Sequence, residues 1–294
     1  MYMFGALVGD IIGSHFEFNN TKSKDFTFFN DDTRFTDDSV LTLAISKYFL
    51  KFPKEINKNE LIKIIKETAQ KYINAGYGPS FLRWINSNSS LPYNSYGNGA
   101  AMRVSPVAYV SKSFEETIKL SDFVTSITHN HEEGLKGARC IATSIYLLLH
   151  GATKSEVKEY VEKNYYQLNF DYQDLVQNCK FEISCQKSVP QAIYIFLISK
   201  NYVDALRNAI SIGGDSDTIS DMVLALSEAY YLSKNNKEGY KITNSLPETK
   251  KNEILYINSN SLNYLTEYLV EICKIFNKKY GLSIDQKYIN YPNK

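Results

Sequence analysis

Two acidic clusters hold the residue types most able to do chemistry in this chain. Thr36-Asp37-Asp38 and Asp215-Ser216-Asp217-Thr218 each precede an apolar run of helical spacing. Carboxylate and hydroxyl oxygens, with no thiolate or imidazole among them, are the donors a hard divalent cation takes. One shared Mg²⁺-type site is therefore the sharper reading. The plainer one is capping, since Asp and Thr at a helix N-terminus accept orphan N–H groups and suit the dipole. Taken singly, either cluster is explained by capping. A shared site requires an early and a late helix to pack side by side.

Three further features stand beside them. Asn94-Ser95-Tyr96-Gly97-Asn98-Gly99-Ala100-Ala101-Met102-Arg103 is a Gly-rich turn running into a helix, behind Pro92. Its backbone N–H groups can approach a phosphate closely, although it lacks the Gly-Lys-Ser/Thr ending of a Walker loop and an inter-helix turn uses the same residues. His129-Asn130-His131-Glu132-Glu133 invites a zinc-site or HNH-nuclease reading, and its spacing supports neither strongly. His129 reads instead as a ligand contact from a helix end, or as a satisfied cap. Asp10 and Glu17 lie seven residues apart, nearly on one helical face. Asp10 sits among apolar residues, which suggests burial with a polar partner, whereas the plain reading of Glu17 is a solvent-facing carboxylate.

The elements that must position these groups are helical. Leu7, Val8, Ile11 and Ile12 form one apolar stripe, and Val40, Leu41, Ala44, Ile45 and Tyr48 another. Leu61 to Ile73 predicts an amphipathic helix capped by Asn59. Ser113-x-x-Glu116 and Thr153-x-x-Glu156 read as capping boxes. The stretch from Leu135 to Leu149 predicts a central helix. Pro190 is placed at a helix start, and Tyr202 to Ile212 reads as a helix closed by Gly213-Gly214. The run from Thr218 through Ile219, Met222, Val223, Leu226 and Ala229 predicts another, and about Leu262 to Phe276 a last one. Phe26 to Phe29 is the single short strand candidate. The expected architecture is all-α: one compact, orthogonal multi-helix bundle spanning residues 1–294, with residues 236–294 as a C-terminal helical tail.

Composition agrees with such a bundle. Of 294 residues, 44% are hydrophobic and 22% charged, enough for a substantial core. Lys plus Arg is 33 against 32 for Asp plus Glu, so nothing advertises a nucleic-acid partner. Cys140, Cys179, Cys185 and Cys273 show no Cys-x-x-Cys pair and read as reduced thiols. No signal peptide or membrane span is expected, because Asp10 interrupts the apolar start and no basic segment precedes it.

Together, Gly5-Ala6-Leu7-Val8-Gly9-Asp10-Ile11-Ile12-Gly13 running to Glu17, Thr36-Asp37-Asp38-Ser39, Ser95-Tyr96-Gly97-Asn98-Gly99, Thr128-His129-Asn130 and Gly213-Gly214-Asp215-Ser216-Asp217-Thr218 resemble the ADP-ribosylglycohydrolase family, which includes the dinitrogenase reductase-activating glycohydrolases. The resemblance runs in the family's order over roughly residues 1–235. It implies a binuclear Mg²⁺ or Mn²⁺ centre in a central cleft, with Thr36, Asp37, Asp38, Asp215, Asp217 and Thr218 as ligands. Glu17, Asp37 and Asp38 would be the catalytic carboxylates. Ser95, Tyr96, Gly97, Asn98, Gly99 and His129 would hold the ADP-ribose; Arg103 is left without a role.

The implied reaction removes ADP-ribose from protein side chains or related conjugates by cleaving the bond at the anomeric carbon of the distal ribose. Asp37 or Asp38 would position or activate the water, with Glu17 as the alternative. A monomeric cytoplasmic hydrolase releasing ADP-ribose is the expectation. Two rivals remain at this point: a two-metal phosphoesterase acting on a similar nucleotide, and a non-catalytic ADP-ribose-binding relative.

Overall fold

Glycines four residues apart decide how the two ends of the chain meet. The computed structural model describes residues 4–53, 56–281 and 283–291. In it Gly5–Gly13 forms helix α1, and Gly5, Gly9 and Gly13 share the face pressed against a late helix, Ser216–Ser227. A Cβ added at Gly5 would stand 2.1 Å from the Leu224 carbonyl oxygen, and one at Gly9 2.1 Å from that of Ser220. No side chain other than hydrogen fits there. The backbones therefore touch, and Asp10 is brought beside the second acidic cluster.

The described residues are helical, with isolated bridges but no strand ladder among them. After α1 come α2 (Asp37–Lys51), α3 (Lys58–Lys71), α4 (Pro79–Ile85), α5 (Ser105–Val110), α6 (Phe114–Thr125) and α7 (Glu132–Leu149). Then follow α8 (Lys154–Asn164), α9 (Tyr172–Asn178), α10 (Cys185–Ile198), α11 (Tyr202–Ile212), α12 (Ser216–Ser227), α13 (Lys237–Ser245), α14 (Glu248–Ser261) and α15 (Glu267–Tyr280). Helix α12 is buried along its whole length, with α1, α10 and α11 packed around it. Each fully buried aliphatic side chain there, such as Ile219, Val223 or Leu226, contributes roughly 1.5–3 kcal/mol. Helices α14 and α15 pack on α1 and α2 and bury Ile254, Ile257, Leu269 and Phe276, so this part of the chain shares the core.

Several boundaries differ from expectation. The cap of α3 is Asn57, whose side chain accepts from Glu60 N–H at 3.1 Å, rather than Asn59. Pro190 lies inside α10, because Tyr96 C=O accepts the Cys185 N–H at 2.9 Å and fixes an earlier start. The last helical region is split: Leu265 and Thr266 are extended, and α15 starts at Glu267. Phe26 to Phe29 forms no strand: Phe26 and Phe28 meet edge to face with Arg207 over both, while Phe29 packs on Tyr256 and Tyr264. Phe26 also meets Phe16. Thr153 forms the full capping box, while Glu116 accepts from Lys112 N–H instead of Ser113 N–H. The central helix α7 and the helix closed at Gly213 lie where the periodicity placed them, and Gly213 has the positive φ of 72° that glycine accommodates.

Candidate active site

Asp10 organises the first acidic cluster. Its Oδ1 accepts from Thr36 Oγ1 at 2.7 Å, and its Oδ2 accepts from the N–H groups of Thr36 at 3.0 Å and Ser39 at 3.1 Å and from the Ser39 hydroxyl. A fully buried carboxylate on α1 thus takes over the orphan donors at the start of α2. Thr36 is the N-cap as well, accepting from Asp38 N–H at 3.3 Å. The capping and ligand readings of this cluster are compatible. Asp38 stays close to Asp10, with carboxylate oxygens of the two and of Asp217 within 4.8 Å of one another, and its Oδ2 is left without a partner.

The second cluster departs from capping. Asp215 occupies the N-cap position of α12 but its side chain caps nothing. Its Oδ2 instead accepts from Asn98 Nδ2 at 2.6 Å. Asn98 also donates to Ser188 Oγ at 3.1 Å, and its backbone N–H donates to Ile183 C=O at 2.7 Å. The Gly-rich turn is thereby fastened to the start of α10 on one side and to the acidic cluster on the other. Its residues 98–100 and 102–104 form short 3₁₀ turns that lead into α5.

His129 stands behind that turn. Nδ1 lies 3.3 Å from Arg103 Nη2 and 2.8 Å from Thr128 Oγ1, which itself accepts from Arg103 Nη2 at 2.6 Å. A guanidinium only donates, so Nδ1 is an acceptor and the imidazole proton sits on Nε2. Nε2 is 3.3 Å from where a Cβ at Gly99 would stand. The turn's glycines leave that donor accessible. Burial, and then the Arg103 charge, hold the His129 pKa well below its usual value, so the ring stays neutral. Arg103 is fully buried, and its Nε and Nη1 have no partner.

These groups converge on one cavity of about 410 Å³. Glu17, Asp37, Asp38, Asp215, Asp217 and Thr218 line one wall, and Ser95, Gly97, Asn98, Gly99, Arg103 and His129 another. Phe18, Tyr77, Phe81, Tyr93, Phe181 and Ile183 are among the remaining lining residues. Two expected site residues lie elsewhere. Thr36 sits behind the wall at 2% exposure, and Tyr96 is half-exposed beside His131, with ring centroids 5.2 Å apart. Glu17 follows the 3₁₀ turn Ser14–Phe16 and is not solvent-facing: its side chain is 16% exposed, with Arg34 at 3.9 Å. Sequence reasoning left Arg103 without a role. Its signal was a lone cation closing the Gly-rich motif, and only the fold shows what it touches.

Arg34 beside Glu17 only partly offsets the charge of the acidic wall. Burial pushes Asp37, Asp38 and Asp217 well above the usual carboxylate range, and neighbouring carboxylates push them further. Asp215 rises to about 6, burial being opposed by hydrogen bonds from Asp217 and Asn98. Glu17 is raised to about 8, by burial first and Asp217 second. Carboxylate oxygens of Asp10, Asp38 and Asp217 lie within 4.8 Å of one another, as do those of Glu17, Asp215 and Asp217. The donor set is all oxygen, and Asp38 Oδ2 is orphaned. Both facts fit hard divalent cations, which would restore every one of these groups to its ionised form.

Comparison with known proteins adds an independent line. The family model for ADP-ribosylglycohydrolase matches residues 2–231. The chain is 25% identical to the ADP-ribosylhydrolase ARH3 of Gallus gallus, over 77% of this chain and 83% of that protein. It is 24% identical to the ARH3 of Homo sapiens, over 77% and 83%. A solved structure titled ADP-ribosylglycohydrolase-related protein complex superposes with a TM-score of 0.65 at 17% identity, covering 96% of both chains, and shows the same fold.

Proposed function

The chain belongs to the ADP-ribosylglycohydrolase family, and from that premise we propose that it is a metal-dependent hydrolase. It removes ADP-ribose from modified protein side chains or related conjugates by cleaving the bond at the anomeric carbon of the distal ribose. One observation carries this reading: the acidic wall and the Gly-rich wall share one cavity and are joined by the 2.6 Å hydrogen bond between Asn98 and Asp215.

Asp37, Asp38, Asp215, Asp217 and Thr218 would hold two Mg²⁺ or Mn²⁺ ions, with Thr36 behind them tying Asp38 to Asp10. Such ions supply Lewis acidity and lower the pKa of a bound water. The remaining work falls to the chain's own groups. The Gly97 and Asn98 N–H groups are taken by Ser95 Oγ and Ile183 C=O, which leaves the other N–H groups of the Ser95 to Gly99 turn and the Nε2–H of His129 as donors for a diphosphate, placed where glycines permit close approach. The aromatic rings at Tyr77, Phe81 and Tyr93 and the exposed Phe18 and Phe181 shield the ligand from bulk water. As the glycosidic bond breaks, positive charge grows on the ribose and the acidic wall stabilises it. Asp37 or Asp38 orients the attacking water and accepts its proton, with Glu17 as the other carboxylate within the cavity.

The test is product analysis. Purified protein with Mg²⁺ is incubated with arginine-, serine- and nucleobase-linked ADP-ribose. Intact ADP-ribose should appear, and chelation should abolish it. Asp37→Asn, Asp38→Asn and Glu17→Gln should separate the carboxylate roles; unchanged rates in all three would overturn the mechanism, and AMP as the product would overturn the reaction. Among the described residues no helix is long and apolar enough to cross a membrane.

A further inference from the structure

Asp221 lies one helical turn beyond Asp217 on α12, fully buried, and both of its carboxylate oxygens lack a hydrogen-bond partner. A buried carboxylate in that state is costly unless a proton or a cation compensates it. The charged and titratable groups it faces are Asp10 from α1 and Asp217 from its own helix, and Asp38 from α2 feels its charge in turn. All are acids. Asp10 already receives four donors, and Asp217 Oδ1 accepts the Thr218 N–H at 2.9 Å, so neither offers Asp221 a donor.

Asp221 stands four residues after Asp217 on α12, and its backbone N lies 2.5 Å from where a Cβ at Gly9 would stand, next to Asp10. Carboxylate oxygens of Asp10, Asp38 and Asp217 lie within 4.8 Å of one another, and Asp38 Oδ2, like both oxygens of Asp221, has no hydrogen-bond partner. We infer that Asp221 is a positioning carboxylate behind the cation centre, an acceptor whose charge would favour the ion that Asp38 and Asp217 would hold. It does not belong to the ligand set implied by the family motifs. The inference rests on the metal-dependent reading above and extends it to a residue outside the cavity wall.

Mn²⁺ titrated calorimetrically into the metal-stripped full-length protein tests this, with melting temperatures measured in parallel. Asp221→Asn keeps the volume and Asp221→Ala removes the group. Both should bind Mn²⁺ about 10–100-fold more weakly, the usual effect of losing an outer-shell partner. Their metal-free melting temperatures should equal or exceed that of the wild type, because a buried like charge has gone. Glu228→Gln, at a buried carboxylate away from the site, should leave Mn²⁺ affinity unchanged. Unchanged affinity in both Asp221 variants, with the wild type binding normally, overturns the inference alone. A wild type that binds no Mn²⁺ overturns it together with the proposed cation centre.

Discussion

Asn98 Nδ2 donates to Asp215 Oδ2 at 2.6 Å, joining two motifs separated by 117 residues. Both partners are buried, so the Gly-rich turn and the acidic wall hold one another in register.

Asn98→Ala removes that donor and the one to Ser188. A hydrogen bond to a charged group is worth about 1.5–3 kcal/mol, so turnover of an ADP-ribosyl conjugate should fall by roughly 10–100-fold in kcat/KM. Steady-state kinetics beside a melting curve would check this. Loss of activity with folding retained is the expected outcome.

Gly9→Ala should be severe for a different reason. Its Cβ would stand 2.1 Å from the Ser220 carbonyl oxygen, so α1 and α12 must separate. Overpacking of this kind costs roughly 1–3 kcal/mol or more, and it would also move Asp10 away from α2. Gly78→Ala, where an added Cβ meets nothing within 4 Å, is the control. Denaturant unfolding should separate the two variants clearly.

His129 should remain neutral well below pH 6.5, because burial and then Arg103 depress its pKa. The unfolded chain binds that proton more readily, so this residue makes the fold less stable as pH falls through 6.5. Imidazole NMR should show the Nε2–H tautomer with no titration near neutrality. Arg103→Gln should move the pKa upward; an unchanged titration would contradict the assigned role of Arg103.

Glu228 gives the opposite pH dependence. Burial raises its pKa from 4.5 to about 8, despite donors from Phe4 N–H at 2.9 and 3.0 Å and the Tyr109 hydroxyl at 3.0 Å. Its contribution is present in full below pH 4.5 and is lost as pH rises through about 8. Glu228→Gln should flatten the decline in stability over that interval. Unfolding curves collected across the range would reveal it.

Much of this was legible because local patterns suffice for local structure. The stripe Ile219, Met222, Val223 and Leu226 could only be a buried helix, and Gly213 with its neighbour could only close one. Reading failed where a distant partner decided the outcome. Pro190 reads as a helix start until Tyr96 is seen to hold Cys185, and Phe26 to Phe29 reads as a strand until Phe16, Arg207 and Tyr264 are seen to take up its rings.

The same division holds for the site. By itself the sequence determined the donor chemistry: oxygen-only clusters at two helix starts, a Gly-rich turn and a histidine, in the order of one family. Tertiary structure alone decided which of these groups are free to act. Asp10 spends its oxygens on α2, Asp215 caps nothing and meets Asn98, Thr36 lies behind the wall, and Arg103 sets the His129 tautomer. The physical reason is that a carboxylate's role depends on which donors and charges surround it, and those come from helices far apart in the chain.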